Sequence, residues 1–94
     1  MRSLIWSAAF VRAFKRAIRR RPELRAKLEI VLQMLVDDPF HPTLRSHKLK
    51  GQLTGIWACT ADYDCRVLFE FIKNEASDDD DILLLTVGKH DEVY

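Results

Sequence analysis

The sequence predicts an α+β domain: an N-terminal edge strand and a two-helix hairpin packed on a mainly antiparallel sheet whose C-terminal part is a three-stranded meander. Three observations carry this reading. Apolar residues recur at helical spacing in two stretches of the first half. Three apolar, β-prone runs joined by short polar links fill the second half. Between them lies a segment punctuated by Pro39, Pro42 and Gly51, which reads as a loop. Ninety-four residues make a single domain, 1–94, with room for one modest core.

Arg2 to Trp6 is short and partly alternating, as an edge strand is. Ser7 is a suitable N-cap for a helix over Ala8 to Arg20. Phe10, Phe14, Ala17 and Ile18 share its apolar face, and Arg12, Lys15, Arg16, Arg19 and Arg20 take the other. Pro22 fits the first turn of a second helix and Glu23 suits its dipole. Its stripe is Leu24, Leu28, Val31, Leu32 and Leu35, and Asp37-Asp38-Pro39 ends it. After the loop from Phe40 to Gly51, strands are expected at Thr54 to Ala61, Cys65 to Ile72 and Ile82 to Val87. Asp62-Tyr63-Asp64 makes the first hairpin turn and Asn74 to Asp81 the second. Along the middle strand, Val67, Phe69 and Phe71 share one face, expected to meet the helices. Arg66, Leu68 and Glu70 share the other, expected to be open.

Composition narrows the function classes. Apolar content of 48% and charged content of 31% describe a globular chain. No run approaches the length of a membrane span, and no signal peptide is evident, so a cytoplasmic location is expected. Cys59 and Cys65 then read as reduced, buried strand thiols. Asp78 to Asp81 lacks the spacing and glycine of a calcium loop and reads as a solvated hairpin tip. Charge is sharply divided. Residues 1–50 carry twelve Lys and Arg against four Asp and Glu, and residues 51–94 carry three against ten. A basic half suits a polyanionic partner.

The segment Gly88-Lys89-His90-Asp91-Glu92-Val93-Tyr94 follows directly on an apolar strand. A titratable imidazole, a cation and an aromatic ring placed there form a candidate site. A second set of phosphate-contacting groups lies in Arg45-Ser46-His47-Lys48-Leu49-Lys50-Gly51.

Taken in order, the helix pair, His47-Lys48-Leu49-Lys50-Gly51, Asp64-Cys65-Arg66-Val67-Leu68-Phe69-Glu70-Phe71 and Val87 to Tyr94 resemble the RelE/ParE superfamily of bacterial toxins. The pattern looks most like its RelE/YafQ-like mRNA interferases of type II toxin–antitoxin systems, and it covers essentially the whole chain. The resemblance implies a RelE-like, microbial-ribonuclease-like fold, cleavage of mRNA in the ribosomal A site, contact with ribosomal RNA, and a cognate antitoxin that wraps the toxin. It implies no cofactor, no metal and no membrane partner. Carried over, Arg66 is the arginine of the middle strand, Tyr94 the terminal aromatic, His90 and His47 the histidines of the YafQ-like branch and Asp64 its acidic position. Thr60, Thr86, Trp57 and Cys59 depart from the family by standing where various members place histidine, arginine or lysine.

Metal-independent RNA cleavage uses the ribose 2′-hydroxyl as nucleophile, and needs a base, a cation and an acid. The expected catalytic set is His90, Arg66, His47 and Asp64, with Tyr94, Lys89, Lys48 and Lys50 binding substrate. Arg66 supplies bidentate charge and Tyr94 a ring that can stack on a base. Blander roles stand beside these: His47 as a satisfied loop residue, Arg66 as a cross-strand partner of Glu70 or Asp64, and Tyr94 as a core plug. The runner-up functions are a ParE-like, non-catalytic gyrase poison and a degenerate toxin that only binds its antitoxin.

Overall fold

A computed structural model of the chain describes residues 2–93. The described residues form five strands and three helices: β1 (Leu4–Trp6), α1 (Ala8–Arg20), α2 (Leu24–Asp37), β2 (His47–Lys48), β3 (Trp57–Asp62), β4 (Cys65–Ile72), β5 (Asp81–Gly88) and α3 (His90–Val93). They make one mixed sheet of order β1-β5-β4-β3-β2, with β1 parallel to β5 and all other pairs antiparallel. The predicted α+β architecture is the one observed. No helix of the described residues is long and apolar enough to cross a membrane.

Helix α1 begins and ends where the sequence dictates, whereas α2 starts at Leu24, so Pro22 lies before its first turn and Glu23 is its N-cap residue. The Ser7 hydroxyl accepts from the Phe10 amide at 3.0 Å and satisfies one of the orphan donors of α1. Arg19 and Arg20 sit in its last turn, where cations suit the helix dipole. The turn Arg21-Pro22-Glu23 joins α1 to α2, with the Leu24 amide bonded to the Arg21 carbonyl. Phe10, Ala13 and Phe14 of α1 and Leu24, Leu28, Val31, Leu32 and Leu35 of α2 are buried against one face of the sheet. Val67 and Phe69 meet them from β4, and Cys59, Ile82, Leu84 and Val87 from its neighbours.

β5 contains a bulge. Thr86 lies opposite Leu68 and Leu84 opposite Phe69, so Leu85 is an extra residue. Because side chains alternate, this residue switches parity: Ile82 and Leu84 face the core before it and Val87 after it. Thr86 and Gly88 are thereby turned to the second face, opposite Leu68 and Arg66.

Three expectations are corrected. The segment Phe40–Gly51 is not wholly loop: a 3-10 turn spans Pro42–Leu44, capped by His41, and His47–Lys48 pair with Ala58 and Trp57 as β2. Strand β3 starts at Trp57 rather than Thr54. Gly55 has φ +91° and the Thr54 amide bonds the Gly51 carbonyl, which curls these residues into a turn closed by Leu49 and Ile56. The second face is also not open throughout, since Leu68 and Ala58 lie on it and both are buried.

Asp62 ties the helix hairpin to the β3–β4 hairpin. Its carboxylate accepts from Lys27 at 2.8 Å and from Arg21 at 2.8 Å. These bonds, Lys27 first and then Arg21, hold its carboxyl at about 2, below the usual 3.8. A depressed carboxyl pKa contributes stability that is complete above the unfolded value and is lost as pH falls through the folded one. Asp62→Asn is therefore expected to lower the thermal midpoint at neutral pH, with the gap to wild type closing as pH approaches about 2. A gap that persists unchanged at that pH would mean that the ion pairs contribute nothing.

Candidate functional site

The ladder that crosses the second face brings the candidate residues into relation. Thr60, Arg66 and Gly88 lie side by side on β3, β4 and β5. His47, Ala58, Leu68 and Thr86 form the neighbouring row, two residues along. Directly opposite residues share a face, so His47 belongs to the same side as Arg66. Strand spacing places their Cα atoms roughly 12 Å apart. His90 follows Gly88 by two residues and opens α3, a single turn that contacts β4 and β5. Lys89 and His90 are both exposed. Gly88 takes no left-handed φ. It ends β5 as ordinary strand, paired directly with Arg66.

Arg66 is half-buried and folds back over the β3–β4 turn. Its Nη1 group faces the carbonyls of Asp62 at 2.9 Å, Tyr63 at 3.1 Å and Cys65 at 3.1 Å. The blander alternative, a cross-strand pair with Glu70 or Asp64, does not occur among the described residues; the turn carbonyls take that place. The guanidinium has five donors, so capping the turn leaves the rest of its fork for other acceptors. Arg66 also lines a groove of about 620 Å³ between α2 and the edge of β3, together with Lys27, Ile30, Met34, Arg45 and Thr60. Arg45 and Lys27 are cations that the sequence reading did not assign to the site. Arg45 reaches it from a left-handed residue, φ +50°, a conformation that no local sequence pattern foretells.

His47 and His41 are held in opposite ways. The His47 Nδ1 lies 3.0 Å from the Arg45 carbonyl. A carbonyl can only accept, so Nδ1 carries the hydrogen and Nε2 is the basic nitrogen of the neutral ring. His41 Nδ1 instead accepts from the Thr43 amide at 3.1 Å and caps the 3-10 turn, a structural task.

The remaining candidates are placed as follows. Asp64, half-buried in the β3–β4 turn, lines a cavity of about 140 Å³ with Arg20, Arg21, Gly88 and Lys89. Lys48 lies over the Trp57 ring, 5.6 Å from its centroid, on the face opposite His47. Lys50 is exposed at the start of the 3-10 turn Gly51–Leu53. Tyr94 lies outside the described residues. Burial pushes the thiols of Cys59 up to about 12 and of Cys65 to about 11, so neither is a nucleophile at neutral pH. Among the described residues no group of three His, Cys, Asp or Glu could hold a metal ion.

No protein-family model matches the sequence, and no curated protein matches it. Solved structures do match its fold. YafQ from E. coli strain BL21(DE3) superposes with a TM-score of 0.78 at 16% identity, covering 100% of this chain and 99% of that one. A YoeB/ParE toxin from Agrobacterium tumefaciens superposes at 0.76 with 15% identity, over 94% of this chain and 98% of that one. A chain of the E. coli DinJ-YafQ toxin-antitoxin complex superposes at 0.76 with 16% identity, over 99% and 97%. The fold is that of the YafQ and YoeB/ParE toxins, end to end.

The two imidazoles give a direct check on this geometry. Long-range proton–nitrogen spectra of the neutral rings should show His47 as the Nδ1–H tautomer and His41 as the Nε2–H tautomer. Identical tautomers would contradict the contacts to the Arg45 carbonyl and the Thr43 amide.

Proposed function

We propose that this protein is the toxin of a type II toxin–antitoxin pair and that it cleaves mRNA on the ribosome without a metal. The observation that carries the reading is the pairing of Arg66 with Gly88 on one face of the sheet, two residues before His90, with His47 on the same face. It stands in a fold shared with YafQ, a chain of which is solved in a toxin-antitoxin complex with DinJ.

In this reading a ribose 2′-hydroxyl attacks the adjacent phosphorus. His47, through Nε2, removes the hydroxyl proton or contacts the phosphate. Arg66 meets the charge that develops on the non-bridging oxygens. His90 donates a proton to the departing 5′-oxygen, and the products are a 2′,3′-cyclic phosphate and a 5′-hydroxyl. Asp64 orients a neighbouring group, while Lys89, Lys48 and Lys50 hold the backbone and Tyr94 stacks on a base. The exposed cations of α1, Arg12, Lys15, Arg16, Arg19 and Arg20, suit ribosomal RNA and equally an acidic antitoxin segment that folds on binding. The protein acts in the cytoplasm in this account.

The engagement of Arg66 by three turn carbonyls favours one second reading, a ParE-like toxin in which Arg66 is structural and gyrase is bound without catalysis. Primer extension on mRNA after induction separates the two. Discrete cuts within translated codons are expected for wild type. His90→Ala should lower the cleavage rate by about 10²–10⁴, and Arg66→Ala by about 10²–10³, with both variants folded. A folded His90→Ala protein that cuts normally would sink the assignment. Inhibited supercoiling with no cuts would install the gyrase reading.

A further inference from the structure

At the end of the sheet away from Arg66 and His90, three rings meet edge and face. Phe40, which follows α2, stacks on Phe71 with centroids 5.7 Å apart and planes 27° apart. It also meets Trp57 edge-on at 5.3 Å, and Trp57 meets Phe71 at 5.4 Å. Trp57 and Phe71 lie on the helix-facing side of the sheet and are half-buried, whereas Phe40 is 58% exposed. One exposed phenylalanine is common on protein surfaces and calls for no explanation by itself.

The cations around this ring set it apart. Lys48 lies 5.6 Å above the Trp57 ring, and the Arg2 guanidinium lies 5.7 Å above the Phe71 ring. Phe40 touches both of these rings. The side chain of Arg2 is only 15% exposed, its carboxylate partner Asp79 is 3.6 Å away, and its buried Nη1 has no hydrogen-bond acceptor among the described residues. Its positive charge is thus only partly answered. A flat π-surface beside the exposed ammonium of Lys48 matches a nucleobase joined to a phosphate. A peptide would need a groove, and here there is one protruding ring.

We propose that Phe40, with Lys48, is a stacking ledge for single-stranded RNA, separate from the face that carries Arg66, His47 and Gly88. His47 and Lys48 are consecutive on β2, the two-residue edge strand, and point to opposite faces. An RNA strand that rounds this edge passes from the ledge to the catalytic face within a few nucleotides. The inference deepens the proposed RNA-cleaving function and uses residues that function did not need, apart from Lys48.

A fluorescent 2′-O-methyl oligoadenylate tests it, because such a strand has no 2′-hydroxyl nucleophile and reports binding alone. Phe40→Leu, which keeps an apolar cover on Trp57 and Phe71, is expected to weaken binding about tenfold or more, the loss of one stacked base. Phe40→Tyr should bind close to wild type, and Lys48→Ala should reduce the salt slope by about 0.7, one phosphate on a single strand. Thermal unfolding confirms that each variant is folded, and the exposed Lys48→Ala change leaves the core untouched. Equal binding by wild type and Phe40→Leu overturns the ledge, as does a wild type that does not bind. Poly-glutamate binding with the same dependence on Phe40 would assign the ledge to an acidic protein and also overturn it. Cuts in mRNA after induction without Phe40-dependent binding of the oligonucleotide defeat the ledge alone. Phe40-dependent binding with no cuts in mRNA after induction defeats the nuclease reading alone.

Discussion

The extra residue Leu85 in β5 is the constraint on which the arrangement of this molecule turns. Before it, the strand sends Ile82 and Leu84 into the core; after it, Val87 goes in and Thr86 and Gly88 face the other way. A regular strand would have buried Thr86 and exposed Val87, with a hydroxyl left to satisfy under α1. The bulge leaves the core apolar and sets Gly88 beside Arg66 on the second face. The chain entering α1 helps hold it. The Ser7 amide reaches the Leu84 carbonyl at 3.4 Å, and its hydroxyl lies 3.5 Å from the Leu85 carbonyl. Both contacts are long, so most of the constraint comes from packing on either side of the bulge.

The two ends of the described chain are joined through the same strand. Parallel β1 lies along β5, the Ile82 amide bonds the Ser3 carbonyl, and the Ser3 amide bonds the Asp81 side chain at 2.9 Å. This placement makes β5 an interior strand, buried on one face and paired on both edges. Leu83 and Leu85, off the core face, are themselves half-buried, so Ile82 to Leu85 reads as an unbroken apolar run rather than as an alternation. The same run hides the bulge from any reading of the sequence, because an added leucine among leucines changes no pattern.

What was legible follows from periodicity and punctuation. The bounds of α1 and β4 come directly from Ser7, from the Phe10 and Phe14 stripe and from the alternation of Val67, Phe69 and Phe71. β2 was not legible, since two residues are too few to show a period and its existence depends on the partner Trp57–Ala58 edge. Thr54 to Ile56 looked like strand from composition, and a positive φ at Gly55 overruled that preference. Of the site, His47, Arg66 and His90 were singled out by residue type and resemblance. The contributions of Arg45 and Lys27 depend on how α2 and the loop pass the edge of β3, which is a tertiary fact.

The turn contacts of Arg66 bear on the role proposed for it. A guanidinium that swung freely would lose rotamer entropy each time it met a phosphate. Here one nitrogen is anchored on the carbonyls of the turn that begins its own strand, which orients the fork before any ligand arrives. The turn is in turn fixed from outside, because Asp62 is clamped by Arg21 and Lys27 of the helix hairpin. Helix pair, turn and arginine therefore form one chain of polar contacts running from the basic half of the molecule to the acidic half. The uneven division of charge along the sequence is, in part, the means by which the two halves hold each other and aim Arg66.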